Sequence, residues 1–346
     1  MKLVMTLRAR DEADLVDAQI SFHLNAGVDF IVATDHRSED GTTEILESYA
    51  RDGRLHLIRE EGEEMHEGDW ATRMSRLATT DFGADWVINS DADEFWWPRG
   101  GSLKEVLSSV PERYGIVRAL LRQFVPRPDD GSFFADRMVA RVSGSAPIND
   151  PNSLFRPNLK TIHRGDPNVT LSAGAHTLLS SPLVPLRGWY PIEFLHFPIR
   201  SFEQGDRKYG NLREALGESR NSYYEGVYRA RGEGRFAELY DSLTIDDEAL
   251  EQGVREGSLV IDTRLRDALR TLAAGGELTF PRPSVVDEAA YAVDVAALGE
   301  ADLVRMQRRL DSLEPRLLAL ERRPATQLWR RLERAARKLW RRNGTR

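Results

Sequence analysis

The stretch Asp85-Trp86-Val87-Ile88-Asn89-Ser90-Asp91-Ala92-Asp93-Glu94-Phe95 decides how the rest of the chain is read. Apolar Trp86, Val87 and Ile88 make a short strand that can be buried. Asp91, Asp93 and Glu94 follow it directly, interrupted by one alanine. In open α/β sheets ligands bind at the carboxyl ends of parallel strands. Two carboxylates two residues apart, with a third beside them, suit a hard divalent cation that keeps room for phosphate oxygens. An EF-hand loop is excluded, because Phe95 stands where a ligand belongs and no glycine follows.

Outward from this stretch, strands and helices alternate. Residues 3–7 read as a buried strand, and Leu15, Ile20, Phe22, His23 and Leu24 then recur at helical spacing up to Gly27. Residues 30–34 form a second strand that opens into a polar loop, 35–42. Thr42 or Thr43 is placed to cap the next helix, with Ile45, Leu46 and Tyr49 on one face. Residues 55–58 give a third strand, and a helix over 70–78 leads back to the opening stretch. Alternation of this kind, joined by short loops, predicts an α/β fold of Rossmann-like type, a mostly parallel sheet with flanking helices. Beyond residue 100 the pattern loosens. Residues 115–124 are extended, short strands and loops rich in Pro, Gly, Ser and Asn run to Pro198, and residues 201–249 are helical. The expected segments are 1–100 and 101–210 as two halves of one domain, 211–280 as a helical extension, and 281–346 as linker, heptad segment and tail.

Composition narrows the setting. The 346 residues are 41% apolar and 30% charged, as in a globular protein, and the absence of cysteine excludes disulfides and thiolate metal sites. The first residues are too briefly apolar for a signal peptide, and no stretch reaches the ~18–20 apolar residues of a membrane span. A cytoplasmic protein is expected. The net charge of −7 hides an asymmetry: residues 308–346 carry 13 Lys+Arg against 4 Asp+Glu, leaving 35 basic and 51 acidic groups elsewhere. An acidic body argues against nucleic acid as a partner, while the basic tail fits an anionic one.

Within the tail, Leu303, Met306, Leu310, Leu313, Leu317 and Leu320 occupy a and d positions of a heptad, a basis for a homo-oligomer, although Pro315 interrupts it. After Pro324, Leu328, Trp329, Leu332, Leu339 and Trp340 oppose a face of arginines and Lys338. That is the composition of an interfacial helix, so peripheral contact of residues 325–346 with the inner face of the plasma membrane is expected. Docking of the same helix on a protein is the alternative.

Several ordered pieces together carry a family resemblance. They are Arg10-Asp11-Glu12, His23 with Gly27-Val28-Asp29, the loop Asp35-x-x-Ser38-x-Asp40-Gly41-Thr42, and Asp85–Phe95. Gly174-Ala175-His176 and the run from His196 to Phe202 extend the set. Over roughly residues 1–210 the chain resembles family 2 glycosyltransferases of the GT-A fold, in particular the bacterial branch similar to family 92. The resemblance implies a nucleotide-diphosphate sugar donor, a saccharide or lipid-linked acceptor, and Mn²⁺ or Mg²⁺. It places Asp35 on the base or ribose, and Asp91 on the ribose or the metal. Asp93 would be the direct metal ligand and Arg73 would lie near the phosphates. His196, ahead of His176, is the candidate for an additional metal ligand, and Lys160, Arg164, Arg200 and Lys208 form a candidate basic rim.

An inverting transferase needs a carboxylate near the acceptor hydroxyl. No clear copy of the family's downstream Glu-Asp pair occurs, which leaves Glu193, Asp166 and Glu94 as candidates, Glu94 also being placed to support the metal site. Two rival readings follow, a carboxylate-based hydrolase and a non-catalytic binding or scaffold protein of the same fold. Gly232-Glu233-Gly234-Arg235-Phe236-Ala237 matches a dinucleotide fingerprint, but no strand precedes it.

Overall fold

The computed structural model of the chain describes residues 1–143, 158–216 and 225–296. Residues Met1–Val295 form one compact unit, and a second begins at Ala296. The heptad segment and the basic tail helix both lie outside the described residues.

The amino half alternates as its sequence predicts. It runs β1 (Leu3–Ala9), α1 (Val16–Asn25), β2 (Phe30–His36), α2 (Thr42–Arg51), β3 (Leu55–Glu60), α3 (Glu67–Thr80) and β4 (Trp86–Asp91). There follow β5 (Glu94–Pro98), α4 (Leu103–Ser108), β6 (Ile116–Gln123), α5 (Phe134–Arg137), β7 (Ala140–Val142) and β8 (Leu159–Arg164). Short strands β9 (Thr170–Leu171) and β10 (Leu178–Ser180) precede β11 (Ile192–His196). Among the described residues the helical region holds α6 (Phe202–Leu216), α7 (Glu225–Gly232), α8 (Phe236–Leu243) and α9 (Asp247–Glu256). Strand β12 (Leu259–Ile261) and helix α10 (Arg264–Ala273) follow, and residues 285–296 are again helical.

Eight strands form one sheet in the order β3-β2-β1-β4-β8-β6-β11-β5. Strands β3, β2, β1 and β4 are mutually parallel, β6 and β11 are parallel to each other, and β8 and β5 run against their neighbours. The sheet is covered on both faces, which is why β1 and β4 read as nearly continuous apolar runs. On one face Leu3, Met5 and Leu7 pack with Ile20 and Phe22 of α1, and on the other Val4, Val32 and Val87 pack against Met74 and Ala78 of α3. Trp86 and Trp96 are almost wholly buried, and truncating a core tryptophan to alanine costs about 3–5 kcal/mol. The α/β class and the mostly parallel sheet agree with expectation.

One local expectation fails. Helix α2 is capped by Gly41, at φ +101°, with no side-chain bond from a cap residue. Thr42 Oγ1 instead accepts from the Glu12 N–H at 2.8 Å and donates to Asp40 at 2.6 Å, while Thr43 donates to Asp35. The threonines are drawn into tying the loop after β1 to the loop after β2, a demand invisible to a local capping rule.

Candidate metal and diphosphate site

Strand register assembles the site. Parallel pairing sets Arg8 of β1 opposite Asp91 of β4, and antiparallel pairing sets His196 of β11 opposite Glu94 of β5. On its other side His196 pairs with Gln123 of β6. The carboxyl-terminal ends of β1, β4, β6 and β11 and the Ala92-Asp93 turn therefore meet at the rim of one cavity of about 360 Å³. Among the residues lining it are Arg8, Arg10, Glu12, Asp91, Asp93 and Glu94, with Lys160, His196 and Lys208 completing the charged wall.

Each acid is met by a cation of the chain. Lys160, on β8, donates to Asp91 at 2.7 Å and to Glu94 at 2.6 Å. Arg8 spans Asp91 at 2.8 Å and Glu67 at 2.7 Å. Lys208, on α6, donates to Asp93 Oδ2 and stands 3.9 Å from Glu12. Glu12 is also held by Arg200. Burial disfavours the charged form of every one of these carboxyls. At Asp91 the cations Arg8 and Lys160 outweigh it, and at Asp93 Lys208 and His196 do, so both are held below the usual carboxylate range. At Glu94 burial prevails over Lys160 and pushes the carboxyl up to about 7. Glu12 is likewise raised by burial, against Arg200 and Lys208.

His196 Nε2 lies 3.2 Å from the same Asp93 Oδ2 that Lys208 covers. Its Nδ1 is 2.9 Å from the Gln123 side-chain oxygen, to which it donates, and this bond fixes the ring with Nε2 turned toward Asp93. Single donor atoms from Asp93, Glu94 and His196 fall within 4.8 Å of one another. A carboxylate oxygen of Asp93 and the imidazole of His196 fit a divalent ion such as Mn²⁺, with Glu94 beside them. Arg10 adds a buried Nε with no hydrogen-bond partner, a donor suited to an anion entering the cavity.

Several other sequence candidates fall away from the cavity. Asp35 is the penultimate residue of β2, but its oxygens accept from Ser38 and Thr43, each at 2.5 Å, and its neighbour His36 lines the cavity instead. Arg73 points outward on α3, paired with Glu60 and 44% exposed. Glu193 alternates on β11 with Phe194 and His196, so its side chain leaves by the opposite face. There Arg122 at 2.5 Å, Arg264 at 2.6 Å and Arg99 at 3.6 Å surround it. Asp166 follows β8, whose antiparallel course carries it to the amino end of β4, where Trp86 pairs with Arg164. Arg164 stacks on Trp86, and Arg200 is buried on Glu12 and Asp14 behind the cavity wall, so of the predicted basic rim Lys160 and Lys208 alone reach Asp91, Asp93 and Glu94 and line the cavity. His176 lines the cavity near Lys160, and its Nδ1 lies 3.0 Å from the Leu159 carbonyl oxygen. Gly174, at φ +66°, leaves it room, since a Cβ there would come within 2.7 Å of Nε2.

Sequence reasoning gave no role to Arg8, Glu12 or Gln123. Arg8 carried a signal, as a charge that ends an apolar strand. Gln123 carried none, because its role depends on its neighbour across the ladder.

No protein-family model matches the chain, and no curated protein matches it. Among solved structures, residues 1–349 of S. aureus TarS in complex with UDP are similar over 80% of this chain and 92% of that one. The identity is 15% and the TM-score 0.33. The same fragment in complex with UDP-GlcNAc gives 14% identity and a TM-score of 0.35 over 80% and 93% of the two chains. The Mycobacterium tuberculosis glucosyl-3-phosphoglycerate synthase, in complex with Mn²⁺, UDP and glucosyl-3-phosphoglycerate, is 18% identical over 39% of this chain and 46% of that one, with a TM-score of 0.25. At these TM-scores the likeness decides nothing about activity, and among the described residues no helix is long and apolar enough to cross a membrane.

Proposed function

We propose that the chain is a metal-dependent glycosyltransferase of GT-A type, moving a sugar from a nucleoside-diphosphate donor to an acceptor hydroxyl. The observation that carries this reading is the meeting of Asp91, Asp93 and Glu94 with His196 and four cations at the carboxyl ends of strands, around one cavity. Asp93 and His196 would hold the metal, which when bound supplies a Lewis acid for the leaving diphosphate. Arg10 offers its free Nε to the phosphates, and Arg8 and Lys160 keep Asp91 ionised and in place. Of the three carboxyls named as bases, Glu94 alone lines the cavity, its Oε2 held by Lys160 and the Asp91 N–H, and burial raises it above the usual carboxylate range, the direction that suits a base near neutral pH. Transfer with inversion follows if that carboxylate acts on the acceptor directly.

The test is ligand-induced stabilisation. UDP or GDP with Mn²⁺ is expected to raise the melting temperature of the wild type, and Asp93→Asn to weaken that binding at least about a hundredfold, the scale on which metal-site residues act. Equal shifts in wild type and variant would refute the metal assignment. A donor-binding protein without turnover is the second reading, favoured by the remoteness of Glu193 and Asp166. Nucleotide binding with no hydrolysis of any sugar donor would select it.

A further inference from the structure

The arrangement at Asp93 goes beyond a site awaiting a metal, because a cation of the chain already covers one of its oxygens. Lys208 donates to Asp93 Oδ2, the oxygen that also faces His196 Nε2. Two positive charges cannot share that oxygen without strong repulsion in a buried setting. The position of Lys208 is built. It projects from α6, whose next residue, Tyr209, packs with Ile199, Val227, Phe236 and Tyr240. Asn211, one turn further along α6, donates to Asp11 at 2.6 Å. The helix is therefore anchored from both sides, while the lysine side chain is 28% exposed and has four rotatable bonds. Its ammonium can leave Asp93 without moving the helix.

We propose that Lys208 is a resident counter-cation of the metal position, competing with the divalent ion for Asp93. This rests on the metal–diphosphate reading above. The competition makes metal binding weak while the ammonium sits on Asp93. An entering diphosphate offers that ammonium another anion, and Asp93 is then free for the metal. Lys208 is thus a positioning residue that couples metal and nucleotide binding.

The experiment is a Mn²⁺ titration, following the electron paramagnetic resonance of the free ion, on the full chain and on Lys208→Met and Lys208→Arg. It is done with and without UDP, and circular dichroism checks folding. Without nucleotide, Lys208→Met is expected to bind Mn²⁺ about tenfold more tightly than wild type, the scale of a close charge pair, and Lys208→Arg to stay within about twofold. UDP should raise the affinity of the wild type for Mn²⁺ more than that of Lys208→Met, which has no ammonium to draw away. Unchanged or weaker Mn²⁺ binding by a folded Lys208→Met overturns the proposal. Failure of UDP to bind any of the three proteins overturns the donor reading instead, and the nucleotide-free comparison still decides the role of Lys208.

Discussion

The charged cluster at the cavity and the cluster around Glu193 are built from the same residue types on opposite faces of β11, yet they are balanced differently. Around the cavity Arg8, Arg10, Lys160, Arg200 and Lys208 face Glu12, Asp14, Glu67, Asp91, Asp93 and Glu94, one acid in excess. Around Glu193, Arg99, Arg122, Arg141 and Arg264 are matched by Glu193, Asp262, Asp294 and Glu288. Tyr291 closes that side, with Arg99 stacked 3.5 Å above its ring. Glu193 is accordingly held well below the usual range, since three arginines outweigh its burial, whereas Glu94 is pushed up to about 7. A saturated cluster bolts the carboxyl-side helices to the sheet. A cluster with surplus acid, open to a cavity, keeps capacity for a cation from outside.

The sharpest way to break this contrast is Glu193→Gln. It leaves buried arginines uncompensated and should cost about 3–5 kcal/mol in chemical denaturation, with nucleotide affinity of the folded protein unchanged. Intact stability with lost nucleotide binding would reverse the roles assigned to the two clusters.

Glu94→Gln is the converse. It should lower donor turnover at least about a hundredfold and remove the decline in rate at acid pH expected of the wild type, because the base works only when ionised. A variant that keeps the wild-type pH profile would sink Glu94 as the base.

A smaller effect lies in the core behind the site. Burial pushes His23 down to about 3 and His163 to about 4. His23 donates through Nδ1 to the Gln19 carbonyl at 2.7 Å and accepts the Trp96 N–H at 2.9 Å, which requires the neutral ring. The unfolded chain takes up these protons first, so their contribution is complete above pH ~6.5 and is lost as the pH falls, by at most about 1.4 kcal/mol per unit for each histidine. Glu94 works in the opposite sense, since the fold favours its neutral form and gains as the pH falls through about 7. Urea midpoints at pH 7.5 and 5 should therefore fall less steeply in His23→Gln than in wild type; equal slopes would remove His23 as a source of acid sensitivity.

Smallest of all, Arg73→Ala should change stability by less than about 0.5 kcal/mol and leave nucleotide affinity alone, because its pairing with Glu60 is solvent-exposed. A large loss of affinity would return Arg73 to the phosphates.

What the sequence determined by itself is the local part. Apolar runs over residues 3–7, 30–34 and 86–88 become β1, β2 and β4, because a strand covered on both faces has to be apolar throughout. The acids of Asp91-Ala92-Asp93-Glu94 sit where that strand ends, and short-range spacing was enough to place them. Tertiary structure decided which other groups join them. The twofold alternation of β11 sends Glu193 away and His196 inward, and the antiparallel course of β8 puts Lys160 at the acids and Asp166 at the far end. Lys208, 115 residues from Asp93 in the chain, reaches it because α6 is anchored beside the loop after β1. Charge pairing across such distances depends on register and helix docking, and neither leaves a local signature in the order of residues.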